Sequence, residues 1–391
     1  MVQVRKLILL LGLALVVFAS QDLWVTFSPI VTNASFALGV SVTHVGFLAI
    51  TYPIFFLILT VPSGILLDRN FKLWLSLGAV LTFLGGIGRL ADTSSYTWLL
   101  ACQLLAALGQ PLLLNGFVPF ATRVYEAKRA LVISMLGLAM YLGAIFALAT
   151  GVPLYRGGGI LLVAVPPAVI SFVGLLLFFG GIQVVEVRPT EITIPDFRSV
   201  AGRRDLWLVG VILGLGVAAF DNLATWLEPA LRPVGLESVA GEVVAVAIIA
   251  GLVSVVLIPS RISARNLRTR YLRLVIPIIT VLFAVLTFVT TKITLFTFLG
   301  LGGLMMLPAY PIIMDWIGTF HEKEVQGSAT GLVGLVSRII SVCLTLAAAW
   351  FIFSTAVYFA FLTAALLVAC VFSRVLPKDE RMIGVSSYYG S

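Results

Sequence analysis

Charge is scarce in this chain. Asp, Glu, Lys and Arg make up 11% of its 391 residues, against about 25% in soluble domains. Hydrophobic residues make up 60%, against about 45–50%. A soluble fold of this length cannot hide so much apolar side chain, whereas a bilayer replaces the polar surface with lipid. Histidine and cysteine are also sparse, at two and three residues. Cys102, Cys343 and Cys370 sit inside apolar runs without metal-ligand spacing and read as small apolar packers. His44 and His321 fall between apolar runs, far apart in the chain. This excludes the residue sets of a metal hydrolase or a thiol enzyme. No phosphate-binding glycine loop precedes a lysine, so ATP drive is unsupported and no cofactor is expected. Alternating strand patterns are lacking too, and lipid tolerates no unpaired backbone, which leaves helices.

The formal net charge is +8, but the basic residues sit in short segments between apolar runs and form no stripe interleaved with aromatics. That is a topology signal and argues against a nucleic-acid partner. Arg5-Lys6 followed by Leu7–Ala19 has the look of a signal peptide, yet the apolar stretch continues to Val31.

Stretches of about 20 mostly apolar residues are long enough to cross a bilayer. Twelve are predicted. The first six are Leu7–Val31, Val45–Leu67, Leu73–Leu90, Tyr96–Phe120, Ala130–Tyr155 and Ile160–Val184. The second six are Leu206–Leu231, Val243–Pro259, Leu274–Thr291, Ile293–Trp316, Ser328–Phe353 and Val357–Leu376. Between the sets lies the longest polar segment, Glu186–Asp205, which contains Pro189 and Pro195. The expected architecture is an all-α integral membrane protein of twelve transmembrane helices in two pseudo-symmetric six-helix bundles, residues 1–185 and 206–391, joined by a linker over residues 186–205.

With the N-terminus in the cytoplasm, 20 Lys and Arg residues fall on the cytoplasmic side and four, Arg89, Arg156, Arg232 and Lys292, on the other. The positive-inside rule then places both termini and the linker in the cytoplasm of a multi-pass protein of the cell membrane. The halves share a pattern. At an offset of 200, Asp22-Leu23 meets Asn222-Leu223, Pro29 meets Pro229, Pro111 meets Pro311 and Asn115 meets Asp315. Pro62-Ser63 recurs as Pro259-Ser260 at 197. Duplication accounts for the shared offset, and parallel six-span repeats place a substrate site between the halves near the midplane.

Two motifs carry a resemblance. The loop Gly64-Ile65-Leu66-Leu67-Asp68-Arg69-Asn70-Phe71-Lys72 resembles the major facilitator superfamily motif Gly-x-Leu-x-Asp-Arg-x-Gly-Arg. Gly64, Leu66, Asp68, Arg69 and the basic Lys72 match, while Phe71 stands where the second glycine would be. The resemblance implies the major facilitator fold and a gating loop, with Gly64 allowing close approach and Asp68 and Arg69 forming a charge latch. More narrowly, Trp24-Val25-Thr26-Phe27-Ser28, Gln103 with Gln110, Ala219-Phe220-Asp221 with Thr225, and Pro311 with Asp315 before Gly327-Ser328-Ala329-Thr330-Gly331-Leu332 are similar to the feline leukaemia virus subgroup C receptor family. Its members are facilitators linked to choline, ethanolamine and haem. The resemblance implies that Trp24 matches a tryptophan that helps cage an ammonium group. Gln110 matches a cavity glutamine, and Asp315 a glutamate of span ten. Two positions depart: Asp221 replaces a cage tyrosine, and Arg338 a glutamine.

The residues themselves also point to a wet pathway. A charge at the bilayer centre costs at least about 2.5–3.5 kcal/mol, so it survives by facing a cavity or a partner. Asp22, Asp221, Glu228, Asp315 and Arg338 are the candidates for this choice. One interhelical pair between Arg338 and an acid would satisfy two of them, and Asp22 and Glu228 lie near enough to helix ends for solvation. Trp24 is either a cation–π face or an interfacial belt residue. Gln103 and Gln110, seven apart on one helix face, either join helices or line the cavity. Gly137, Gly143, Gly151 and Pro153 of span five read as close helix packing.

The expected function is translocation of a small organic solute by alternating access, by a monomer. The expected solute is an organic cation or zwitterion such as a choline-like amine, bound by Trp24, Gln110, Asp221, Asp315 and Arg338. Asp22, Asp221, Glu228 and Asp315 are the residues for proton or ion coupling. The alternatives are a proton-coupled carrier of an organic anion anchored by Arg338, and a non-transporting receptor or membrane enzyme. The lack of a catalytic cluster and the duplication argue against the last.

Overall fold

The computed structural model describes residues 2–125, 129–184, 201–321, 326–377 and 379. The Glu186–Asp205 linker therefore lies mostly outside the described residues, as does the side chain of Asp68. The chain forms two compact units, Met1–Thr193 and Ile194–Ser391.

The first unit opens with α1 (Val2–Val25). A 3-10 turn at Ser28–Ile30 follows, and then α2 (Val31–Leu38). Pro29 has no N–H to give a helical ladder, so the axis breaks there. Next come α3 (Val42–Arg69), α4 (Phe71–Gly88), α5 (Tyr96–Leu114), α6 (Phe117–Val124) and α7 (Arg129–Gly181). Side-chain caps mark the starts: Ser41, Asn70 and Ser95 accept from the backbone N–H groups of His44, Leu73 and Trp98, satisfying amides that no helical carbonyl reaches. The 53 residues of α7 would extend for about 80 Å at 1.5 Å each, far beyond a hydrocarbon core of about 30 Å. The non-helical φ of −170° at Gly158 and +64° at Gly159 divide it into two limbs, each of spanning length. The positive value is one that glycine adopts without steric cost.

The second unit contains α8 (Arg204–Leu231), α9 (Ala240–Leu257), α10 (Pro259–Ala264) and α11 (Arg268–Phe288). It continues with α12 (Lys292–Met306), α13 (Ala309–Phe320), α14 (Gln326–Ala348) and α15 (Thr355–Val375). Among the described residues eleven helical stretches are long and apolar enough to cross a membrane. With α7 counted as its two limbs, the spans number twelve, as the apolar runs predict. Two predicted spans are each built of two helices. The fourth is α5 and α6, meeting at Asn115-Gly116, and the tenth is α12 and α13, meeting at Leu307-Pro308.

In the first unit α1 packs along α7, α4 lies against α5 and α7, and α3 against α5. In the second, α8 packs on α14 and α15, α9 on α12, and α11 on α15. Helices in lipid gain nothing from hiding apolar surface, so close fit drives their packing, and small residues permit it. A Cβ placed on Gly143 would strike the Phe18 carbonyl oxygen, and one on Gly151 the ring of Pro29, whereas one on Gly137 would meet nothing. The packing reading of span five thus holds at two of its glycines. Across α9 and α12, a Cβ on Gly303 would strike the Ala247 carbonyl oxygen.

Candidate substrate and ion-coupling sites

Arg89, counted among the outer basic residues at the end of the third predicted span, has its side chain fully buried in the first unit. It caps the end of α4, and the guanidinium turns back among the helices. Nη1 donates to Thr26 Oγ1 at 2.9 Å and Nη2 to the Leu23 carbonyl at 2.9 Å. Nη2 also donates to Gln103 Oε1, and the guanidinium carbon lies 5.3 Å from the Phe27 ring centroid. Every partner is neutral. A snorkelling arginine would have reached water; this one instead ties the last turn of α1 to α5.

Asp22 lies in that same turn and is 2% exposed. Its Oδ2 is inaccessible and has no hydrogen-bond donor, as is also true of the hydroxyl of Tyr52 on α3. Thr26 gives its hydroxyl proton to the backbone carbonyl of Asp22 at 2.6 Å. Two unit charges 4 Å apart attract by about 4 kcal/mol at the effective dielectric of a protein. Among the described residues Asp22 has no ion-pair partner within that reach, while burial of an ion costs several kcal/mol.

Gln103 and Gln110 divide the two readings open to them. Gln103 is consumed: Oε1 accepts from Arg89, and Nε2 donates to the Leu48 carbonyl at 2.8 Å. Gln110 is buried and has no hydrogen-bond partner among the described residues. It lies one turn beyond Ala106 and Ala107, which pack with Leu23, Tyr52 and the half-buried Trp24. The indole N–H of Trp24 donates to the Ala49 carbonyl of α3 at 3.0 Å, which fixes the ring. One face of α5 therefore carries Gln103, the small residues under Trp24, and the spare Gln110 amide.

In the second unit α8 and α14 bring Asp221, Arg338 and Ser341 together. Asp221 is buried; its Oδ2 takes the Ser341 hydroxyl at 2.5 Å and lies 3.4 Å from Arg338 Nη1. The Arg338 side chain is 32% exposed. Asp221 Oδ1 takes no hydrogen bond from a described residue. Nearby, Trp226 donates to the Thr345 carbonyl at 2.8 Å and Asn222 to Thr345 Oγ1 at 3.4 Å. Glu228 is buried further along α8.

Asp315 is placed apart from this group. Its Oδ2 meets Arg268 Nε at 2.5 Å, and Arg268 is the first residue of α11. Asp379 of the C-terminal segment caps the same helix, accepting from the backbone N–H of Arg268 at 3.0 Å and of Thr269 at 2.9 Å. Repeat-related residues thus do different work. Asn115 donates to the Thr60 carbonyl at 2.9 Å and to Ser63 Oγ at 2.7 Å, whereas Asp315 holds an arginine. Sequence reading also missed the pair between His321 and Asp205, 3.0 Å apart. They stand more than a hundred residues apart in the chain, and no motif joins them.

The loop motif is partly described. Gly64 has open space where a Cβ would sit, so it is not a crossing point within the described residues. Phe71, the departure from the motif, is buried, and the Arg123 guanidinium of α6 lies 4.6 Å from its ring centroid. Arg69 is exposed at the end of α3.

The family model described as Major Facilitator Superfamily matches residues 10–345. The chain belongs to the major facilitator superfamily. This facilitator is 25% identical over 178 residues to an uncharacterised protein of Archaeoglobus fulgidus, an alignment spanning 45% of the chain and 82% of that relative. Its fold is similar to the crystal structure of a bacterial homologue of the human lysosomal transporter Spinster, which was captured inward-facing and unoccupied. The TM-score is 0.67 at 13% identity, with 95% of each chain covered. The superfamily makes this chain a multi-pass membrane protein and a secondary transporter, not an enzyme.

Proposed function

We propose that this facilitator carries a small organic cation or zwitterion of the choline type, as a monomer in the cell membrane with both termini cytoplasmic. The observation that carries the substrate reading is the set of unused groups in each unit. The first offers the fixed Trp24 ring and the buried, unpartnered Gln110 amide. The second offers Asp221, whose Oδ1 remains unbonded while Oδ2 is held by Ser341. A tryptophan face and a carboxylate are the two groups that attract an ammonium which has no N–H to donate. The resemblance to the feline leukaemia virus subgroup C receptor family supports the same class. Asp315, already paired with Arg268, belongs in this reading to a latch between α13 and the start of α11.

Titration calorimetry with choline tests it. A tryptophan face is worth about 0.5–1 kcal/mol to an exposed cation and about 2 or more to a desolvated one. Trp24→Ala is expected to weaken binding about 5- to 30-fold, Trp24→Phe less, and Asp221→Asn to weaken it as well. Unchanged affinity in Trp24→Ala would overturn the reading. A second reading, a proton-coupled organic anion carrier, is favoured by one observation: the Arg338 side chain is one-third exposed and thus reachable by a carboxylate. Benzoate binding lost in Arg338→Gln would select it.

A further inference from the structure

Building on the reading of the chain as a solute carrier, we propose that Asp22 is a proton-binding site. In this conformation it is a neutral carboxylic acid, and it exchanges its proton with water when the first unit opens.

The inference rests on what surrounds the carboxyl group. Asp22 is 2% exposed, and its Oδ2 has neither solvent nor a protein donor. The nearby cation, Arg89, already spends both Nη groups on Thr26, the Leu23 carbonyl and Gln103. An ionised carboxylate so placed would have lost its water with no donor at Oδ2, and a buried group in that position is neutralised instead. The arrangement is also reversible. Arg89 is fixed on the Leu23 carbonyl and Thr26, within about a turn of Asp22, so once water enters, solvation returns and the fixed cation favours the anion. A carboxyl that is neutral when closed and ionised when open is what coupling to a proton requires.

Among the described residues, the other helices packed on α1 bring no competing charge to this level. From α3 comes Tyr52, whose hydroxyl is likewise without a partner. From α4 comes Arg89, and from α5 come Cys102, beside Arg89, and the amide of Gln103. The charged residues of α7 are Arg129, its first residue, and Arg156, next to the Gly158-Gly159 break. Its tyrosines are Tyr141, which has a contact of its own, and Tyr155, which donates to the Asn33 carbonyl at 3.2 Å. On α1 itself the other charged residues are Arg5 and Lys6, more than four turns away. A structural ion pair between Asp22 and Arg89 is the competing account, and no pair within 4.0 Å joins them.

Infrared difference spectroscopy of the ligand-free protein in nanodiscs decides between the two. Wild type at neutral pH is expected to show the carbonyl stretch of a protonated carboxylic acid. That band should shift in deuterium oxide, move in Asp22→Glu, vanish in Asp22→Asn and persist in Asp221→Asn. The melting midpoint of Asp22→Asn should match wild type, because an amide then replaces a neutral acid of the same shape. No acid band, or a band indifferent to both Asp22 variants, overturns the proposal, as does a collapse in the yield of Asp22→Asn, the sign of a structural ion pair. Because no ligand is present, a failure of choline binding leaves this result untouched.

Discussion

Arg338 and Asp221 meet across two helices, with Nη1 of the guanidinium 3.4 Å from Oδ2 of the carboxylate on which Ser341 also donates. The partners are unequal, since Asp221 is buried while Arg338 keeps a third of its side chain exposed. Removing either one therefore has different consequences. Arg338→Leu leaves a buried carboxylate held by a single hydroxyl and is expected to cost about 1–3 kcal/mol. Asp221→Asn keeps the shape and the Ser341 bond, and leaves an arginine that can turn toward water. Thermal unfolding in detergent should show a clear drop for the first and a small one for the second. The double variant should recover most of the loss, because no lone buried charge remains.

The glycines of α7 give a paired test of packing. Gly143→Ala drives a methyl group into the Phe18 carbonyl of α1, whereas Gly137→Ala fills open space. Overpacking costs about 1–3 kcal/mol, and alanine in an unobstructed helix position gains about 0.5–1 kcal/mol over glycine. The first variant should lower the melting midpoint and the second should hold or raise it. The reverse order would mean that α1 and α7 do not cross at Gly143.

Asp379 holds the first turn of α11 by two backbone N–H groups and also lies 3.5 Å from Arg268 Nη1. Loss of a capping carboxylate costs about 0.5–2 kcal/mol. Asp379→Ala is expected to speed limited proteolysis of the C-terminal segment while choline affinity stays unchanged. A change in affinity with no change in proteolysis would contradict this.

The orientation is testable without any substrate. The distribution of Lys and Arg, 20 against four, predicts a cytoplasmic linker. A single cysteine placed in the Glu186–Asp205 segment of a cysteine-free variant should resist an impermeant maleimide added to intact cells and react after permeabilisation. Ready labelling from outside would invert the topology.

Much of the fold was legible because it depends on apolar run length, and a bilayer makes that a strong constraint. The break at Gly158-Gly159 falls between two predicted spans, where a glycine run met a change of span. The Asp221–Arg338 pair was one of several open pairings for Arg338, and only the packing of α8 on α14 selects it. Arg89 was illegible for a physical reason. A basic residue at the end of an apolar run is ordinarily solvated, and nothing local signals that Thr26, Leu23 and Gln103 wait to receive it. Asp315 was read by its match to Asn115 and by family position, but its partner Arg268 lies 47 residues earlier, beyond any periodic pattern. Gln103 and Gln110 share a helix face, and sequence alone gave no means to tell the consumed amide from the spare one.

Transport itself is the claim on which the rest depends, and counterflow measures it most directly. Proteoliposomes of the purified facilitator, preloaded with unlabelled choline, should accumulate external labelled choline transiently. The signal should saturate with concentration, be reduced in Trp24→Ala, and be absent from protein-free vesicles. Counterflow does not require a coupling gradient, so it reports the carrier step alone. Accumulation no greater than in empty vesicles for choline, ethanolamine and betaine, with vesicles shown to be sealed, would contradict the assignment of an organic cation or zwitterion as the solute.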